Sequence, residues 1–307
     1  MNKLIVIIGS SNIDLIMKMD HLPEKGETVT DAVFMQVYGG KGANQAVGAA
    51  RAGGRVAFVG CVGEDAYTPR MVQNYKNDYI DTRFVFQEKN TVSGHALIMI
   101  GADGNNYLSV APGANYSLTP EKIEKALPVI RKAAMIVMQY EIPAETIAYV
   151  LNMAHENELP VLWNFAPARP FDLRYLAKVN ILVVNEVEAG FLASMPVNNI
   201  NDAETVAGVL LKMGPETVII TLGDKGICLL SRNEKIYLPA FRVTAVDTTA
   251  AGDVFCGTFA VACVEGKSLP EAIRFASAAS AICVTRMGAQ PSAPTREEIE
   301  QFLTCNA

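Results

Sequence analysis

The chain is poor in the residues from which metal and disulfide sites are built. Its three histidines, His21, His95 and His155, are too scattered for a zinc site. Its six cysteines form no C-x-x-C pair, and most lie in apolar runs, so they read as small buried hydrophobes in a reducing compartment. There is no long run of lysine or arginine and the net charge is −6, which argues against nucleic acid or an anionic membrane surface as partner. An acidic chain can still take a nucleotide through backbone N–H groups, helix ends and Mg²⁺. No apolar stretch reaches membrane-spanning length, and Met1-Asn2-Lys3 runs directly into a short strand rather than a signal-peptide core. The chain therefore reads as cytoplasmic. Internal repeats, low-complexity tracts, an interdomain linker and a Walker A motif are also missing.

Half of the 307 residues are hydrophobic, enough for a sizeable core in one large α/β domain. Leu4–Ile8 is a continuous apolar run ending at Gly9, as in a central parallel strand. Residues 14–19 and 28–37 are only partly alternating and predict a small antiparallel sheet, joined by a hairpin over 93–110 that turns at Asp103-Gly104-Asn105. Beyond residue 119 the pattern becomes regular αβαβ, with apolar strands at 135–138, 161–163, 181–184 and 218–220. Each strand ends in polar residues: Gln139 and Glu141, Asn164, Asn185 and Glu186, then Thr221-Leu222-Gly223. Ligands of parallel sheets bind just beyond such strand ends.

Two glycine-bearing stretches sharpen this. Gly39-Gly40-Lys41-Gly42-Ala43-Asn44 reads as a loop opening an Ala-rich helix, and Asn12 and Asp14 lie upstream. Asp247-Thr-Thr-Ala-Ala-Gly-Asp253 reads as a tight turn opening a buried helix, with Asp253 in its first turn and Gly266 as the stop. Unpaired N–H groups and the positive end of the dipole make such a start an anion site. A carboxylate beside it can take a proton while the N–H groups neutralise phosphoryl charge. The plainer alternative is an aspartate that only complements the helix dipole.

Together with Gly9 to Asp14, Met138 to Glu141, Ala166-Pro167-Ala168, Asn185 to Glu188 and Thr285 to Ser292, these motifs make the chain resemble the ribokinase (phosphofructokinase-B) family of carbohydrate kinases over essentially its whole length. The resemblance implies a three-layer α/β/α fold with a mostly parallel central sheet and a β-sheet lid from about 14–38 and 91–110. It implies transfer of the γ-phosphoryl of ATP to the 5-hydroxyl of D-ribose, with Asp253 as base. A kinase for 2-deoxyribose or fructose, or a non-catalytic sugar-binding regulator, are the alternatives. By the same resemblance, Asn12, Asp14, Gly40, Lys41, Asn44 and Glu141 would hold the sugar, although Lys41 could equally be a solvated lysine whose backbone alone matters. Asn185 and Glu188 would arrange the water shell of Mg²⁺, with an exposed helix glutamate the plain reading of Glu188. Thr221, Gly223, Gly226, Ser277 and the turn Ala250-Ala251-Gly252 would contact the nucleotide. A K⁺ site would use Asp247, Thr249 and Ser292 with carbonyls of Cys283, Arg286 and Gly288, Cys283 giving only its backbone oxygen. The family usually has glycine at position 250, so the alanine here predicts a turn without positive φ. Pairing of two lid sheets into a homodimer is the expected assembly.

Overall fold

The computed structural model describes residues 3–103 and 105–306. From β1 (Leu4–Ile8) the chain enters a separate sheet through β2 (Asn12–Lys18) and β3 (Val33–Gly39), then forms α1 (Lys41–Arg51). β4 (Arg55–Gly63), α2 (Thr68–Asn77) and β5 (Asp81–Glu88) return to the main body, and β6 (Gly94–Ile100) with β7 (Asn106–Ala111) completes the separate sheet. Next come α3 (Pro120–Ile130), β8 (Ala133–Met138), α4 (Ala144–Glu156), β9 (Val161–Asn164), β10 (Ile181–Asn185) and α5 (Glu186–Ala193). α6 (Ile200–Lys212), β11 (Thr217–Thr221), the hairpin β12 (Ile227–Ser231) and β13 (Lys235–Leu238), then α7 (Ala251–Glu265), α8 (Leu269–Val284) and α9 (Arg296–Cys305) finish the chain.

The large sheet has the order β13-β12-β11-β10-β9-β8-β1-β4-β5, parallel from β11 to β5 with an antiparallel hairpin at one edge. Its strands alternate between two cores. Leu4, Val6 and Ile8 face the layer of α3 to α6, while Ile5 and Ile7 face α1, α2 and α7 to α9. Burial on both faces is why these strands read as continuous apolar runs. Among the described residues no helix is long and apolar enough to cross a membrane.

The four-stranded sheet, in the order β3-β2-β6-β7, departs from the expectation in two ways. It is mixed rather than antiparallel, because β2 pairs in parallel with β6, from Asn12 opposite Gly94 to Lys18 opposite Ile100. The reason lies in the large sheet: β1 and β5 run in the same direction there, and each continues into the small sheet. The second departure is that β3 begins at Val33, not near residue 28. In the expected hairpin turn Asp103 Oδ1 accepts the N–H of Asn105, and Gly104 lies outside the described residues.

α1 and α7 pack closely enough to bring their first turns together. A Cβ on Gly257 would stand 2.3 Å from the Gln45 carbonyl oxygen and 2.8 Å from Ala49 N, so only glycine permits this contact. Replacing glycine by alanine inside a helix ordinarily stabilises it by about 0.5–1 kcal/mol. Overpacking here costs about 1–3 kcal/mol, so Gly257→Ala is expected to lower the Tm by several degrees in calorimetry. A raised Tm would show that this residue does not set the helix spacing.

Candidate active site

α7 starts at Ala251, with Ala250 as its N-cap and Asp253 as the third helical residue. Ala250 has φ 62° and ψ 4°, contrary to the expectation that alanine would exclude a left-handed turn. The conformation costs on the order of 1–2 kcal/mol for a residue with a Cβ. Its surroundings hold it there: Val254 N donates to Ala250 O at 2.8 Å, and Ala251 N to Thr248 O at 3.3 Å. A Cβ on Gly252 would meet nothing within 4 Å, so the helix start faces open space.

Asp253 is 5% exposed. Its Oδ2 accepts Asn44 Nδ2 at 3.0 Å and its Oδ1 accepts Gln45 Nε2 at 3.1 Å. Gln45 Nε2 also reaches Asn164 Oδ1, and Gln45 Oε1 accepts Gln139 Nε2 at 2.7 Å. Burial raises the Asp253 pKa above the ordinary carboxylate range, while the Lys41 charge and the two amides partly offset that rise. It is a stronger base than a surface aspartate, in a fixed orientation.

Asn12, Asp14, Gly40, Lys41, Asn44 and Glu141 gather beside it. The glycine stretch is not the loop expected, since α1 begins at Lys41 and Gly42 to Asn44 form its first turn. Gly40 caps it at φ 87°, with space for no side chain, because a Cβ would stand 2.7 Å from Asn12 N. Glu141 Oε2 accepts the N–H of Lys41 at 3.0 Å and the hydroxyl of Ser10 at 2.5 Å, placing a carboxylate at the positive end of α1. Asn12 Oδ1 is taken by Asn115 Nδ2 at 2.7 Å, and Asn115 Oδ1 accepts the N–H of Ser11 at 2.8 Å. Asn44 Oδ1 is buried without a partner. Asp14 is 7% exposed, and its carboxylate takes no hydrogen bond among the described residues. Burial, with Glu141 and Asp253 nearby, pushes its pKa up to about 7. Unpaired donors and acceptors in one small space fit a polyhydroxylated molecule.

On the other side of Asp253 lies a cleft of about 700 Å³. All of Asn185, Glu188, Thr221, Gly223, Gly226, Ala250, Ala251, Gly252 and Ser277 line it. Lys41 and Asp253 line it too, whereas Asn12, Asp14, Gly40, Asn44 and Glu141 do not. The lysine and the aspartate therefore border both this cleft and the polar cluster of Asp14, Asn44 and Glu141. Lys41 is not a solvated surface lysine: Asp253, Glu141 and Glu188 outweigh the effect of burial and raise its pKa, so it stays charged. Nor is Glu188 an exposed helix glutamate. It is 7% exposed, its Oε2 accepts Asn185 N at 2.9 Å, and its own N–H donates to Asn185 Oδ1 at 2.8 Å. One carboxylate oxygen remains without a protein partner among the described residues, which fits a hydrated Mg²⁺. Ser277 Oγ is buried and unpartnered against the cleft.

The third group forms a loop around Asp247. Its Oδ1 accepts Thr249 N and its Oδ2 accepts Gly288 N, both at 2.9 Å. Burial works against ionisation here, but the bonds from Thr249 and Gly288 outweigh it and hold the pKa below the ordinary value. The Arg286 guanidinium turns away to Glu298 at 2.6 Å, leaving only its backbone for this loop. A carboxylate, a hydroxyl and carbonyls are the hard oxygen set that suits an alkali cation. The Cys283 thiol lies 3.0 Å from Ser292 Oγ and 3.7 Å from Thr249 O, bonds that leave its backbone oxygen as its expected contribution to this loop. Gln290 then links this loop to the turn that precedes α1, its Nε2 donating to Gly39 O at 3.4 Å.

Residues 2–296 match the pfkB family carbohydrate kinase family. The chain belongs to that family. It is 40% identical to the ribokinase of Bacillus subtilis over 98% of this chain and 99% of that protein. It is 36% identical to a deoxyribokinase of Salmonella typhi, with 98% and 99% covered. The structure of Arabidopsis thaliana ribokinase complexed with ribose and ATP aligns with a TM-score of 0.91 at 34% identity, covering 98% of each chain. Ribokinase from Thermotoga maritima aligns at 0.89 and 39% identity, covering 99% of this chain and 100% of that one. As a pfkB-family member, the chain is an ATP-dependent carbohydrate kinase with the ribokinase-like α/β fold.

Sequence reasoning missed Gln45 and Asn115 as parts of the site. Gln45 follows the glycine motif directly and could have been found there. Asn115 sits in a turn more than 100 residues from its partners, with no local signal.

The Asp14 carboxyl carries a testable cost. The unfolded chain ionises it near 3.8, the folded chain near 7, so folding opposes its ionisation and stability falls as pH rises through that window. Asp14→Asn is therefore expected to raise the Tm, more at pH 8 than at pH 5, in calorimetry of the ligand-free protein. An equal gain at both pH values would show that Asp14 ionises normally in the fold.

Proposed function

We propose that this chain transfers the γ-phosphoryl of ATP to the 5-hydroxyl of D-ribose, with Asp253 as the general base. One observation carries the reading: Asp253 and Lys41 alone, among the sugar-side residues, also line the large cleft. The acceptor hydroxyl would lie against Asp253 in the smaller chamber, and the triphosphate would enter from the other side. Asp253 would take the hydroxyl proton at its carboxylate as the oxygen attacks. The N–H groups of the α7 start and the Lys41 ammonium would hold the negative charge of the transferring group. Asp14 and Glu141 would accept ring hydroxyls, while Asn12 and Asn44 would offer amides that both donate and accept. Glu188 and Asn185 would hold Mg²⁺ through water, and the ion would supply positive charge against the phosphates. Thr221, Gly223, Gly226 and Ser277 would seat the nucleotide. K⁺ beside Asp247, Thr249, Cys283, Arg286, Gly288 and Ser292 would steady the turn that leads into Ala250. Cysteines left free throughout the described chain suit a protein working in a reducing cytoplasm.

A second reading, 2-deoxyribose as acceptor, is favoured by the deoxyribokinase relative. Against it stands the chemistry of Asp14 and Glu141, since a missing hydroxyl leaves a buried acceptor unpaired. ADP release with Mg-ATP over D-ribose, 2-deoxyribose and fructose, with and without K⁺, decides between them. Ribose is expected to turn over fastest and to be stimulated by K⁺. Asp253→Asn is expected to lower kcat by about 10²–10⁴-fold. Equal turnover by mutant and wild type would remove the base from Asp253.

The small sheet would act as a lid over the sugar, excluding water from phosphoryl transfer. It also carries exposed apolar side chains on both faces, Phe34, Leu97 and Tyr107 on one and Leu108 and Val110 on the other, each more than 40% exposed. Such a surface suits pairing of two lids into a homodimer. Light scattering at micromolar concentration is expected to give twice the chain mass, and Leu108→Glu to shift it toward the monomer. A monomer for the unmodified chain would remove the pairing.

A further inference from the structure

We infer that Arg169 is a positioning residue for the acceptor sugar, tying together the two turns that hold its hydroxyl-binding groups. The inference rests on the proposed sugar pocket.

Residues 166 to 170 enclose Tyr140, which directly precedes Glu141. Tyr140 N donates to Ala166 O at 2.8 Å, and Tyr140 OH donates to Pro170 O at 2.8 Å. The Arg169 guanidinium lies over the Tyr140 ring, 4.3 Å from its centre, and one of its terminal nitrogens donates to Tyr140 O. The other donates to Tyr116 OH at 2.5 Å. Tyr116 is next to Asn115, whose side chain holds both Asn12 Oδ1 and the N–H of Ser11. One planar fork therefore joins the turn at 140–141 to the turn at 115–116.

Those turns hold different groups of the proposed pocket. The first delivers Glu141, which receives Lys41 N and Ser10 Oγ. The second sets the rotamer of Asn12 by occupying its carbonyl oxygen, leaving its amide nitrogen for a ligand. The first lies outside any helix or strand, the second is a single short 3-10 turn over Gly113–Ser117, and among the described residues no other residue bonds to both. Arginine suits the role because a rigid fork and a stacking plane act at once, which lysine cannot reproduce. Arg169 faces neither chamber: it is absent from the lining of the cleft, and its bonds go to Tyr140 and Tyr116.

The test compares Arg169→Ala, Arg169→Lys and Tyr116→Phe with the wild type, using whichever sugar the wild type phosphorylates fastest. The expected result is a rise of about tenfold in KM for the sugar in Arg169→Ala, the scale of one charge-assisted hydrogen bond. KM for ATP should stay within about twofold. Arg169→Lys should recover little, and Tyr116→Phe, at an exposed ring, should reproduce part of the sugar effect with an unchanged Tm. Full recovery by lysine, or equal changes in both KM values, would overturn the inference. Hydrogen exchange of the ligand-free proteins supplies a second readout that needs no turnover. In Arg169→Ala the amides of Ser11 and Lys41 should lose protection while those of β9 to β11 keep theirs. Unchanged Ser11 and Lys41 amides would overturn the positioning role. Absence of turnover in the wild type with any sugar would instead count against the proposed reaction and leave the exchange result standing.

Discussion

The contact on which this molecule depends is the one between the first turns of α1 and α7. Asp253 is buried there and oriented by Asn44 and Gln45, two consecutive residues of the facing helix. A buried carboxylate without partners would lose its charge or destabilise the fold. With an amide on each oxygen it remains an oriented acceptor whose pKa still lies above the ordinary value. The packing that makes this possible is steric, since Gly257 lets the backbones approach until Gln45 lies under Asp253. Gln45 is fixed in turn by Gln139 and Asn164, which stand at the ends of β8 and β9. The sheet, the helix pair and the reacting group thus form one hydrogen-bonded unit.

The same contact divides the space above the sheet. On one side lies the small polar chamber between the two sheets, on the other the large cleft toward β10, β11 and α8. Lys41 bridges them electrically, set among Asp253, Glu141 and Glu188. A single ammonium among three carboxylates leaves the ligand-free site with excess negative charge. A triphosphate entering such a site needs its charge offset from outside, which is the physical case for a divalent ion at Glu188 and Asn185.

Much of this was legible in the sequence because the relevant signals are local. Continuous apolar runs ending in Gln139, Asn164, Asn185 and Thr221 located the sheet edge, and the Gly-Asp ending of the last motif located the buried aspartate at the start of α7. What failed to show depends on contacts made only by folding. Ala250 adopts a left-handed turn although its side chain disfavours it, because bonds from Ala251 and Val254 override a local preference. The parallel pairing of β2 with β6 follows from the direction of β1 and β5 in another sheet, not from any pattern in their own residues. The helical start at Lys41 replaces the loop that glycines suggest, since Glu141 from a distant turn receives its N–H. Asn115 is a polar residue in an ordinary turn until the chain brings it to Asn12.

The polar chamber also illustrates why binding sites are poor places for stability. Asp14 is held where burial and two neighbouring carboxylates oppose its ionisation, and no protein donor compensates. Nothing in the fold requires a carboxyl there, for a neutral side chain would fill the same space at lower cost. A sugar bound as proposed would change that balance, because a hydroxyl donated to Asp14 favours the ionised form and lowers the pKa. Sugar binding and proton release from Asp14 would then be linked by thermodynamic necessity. The charge repulsion held at Asp14 would then become part of what such a ligand gains, and a ligand lacking that hydroxyl would gain less.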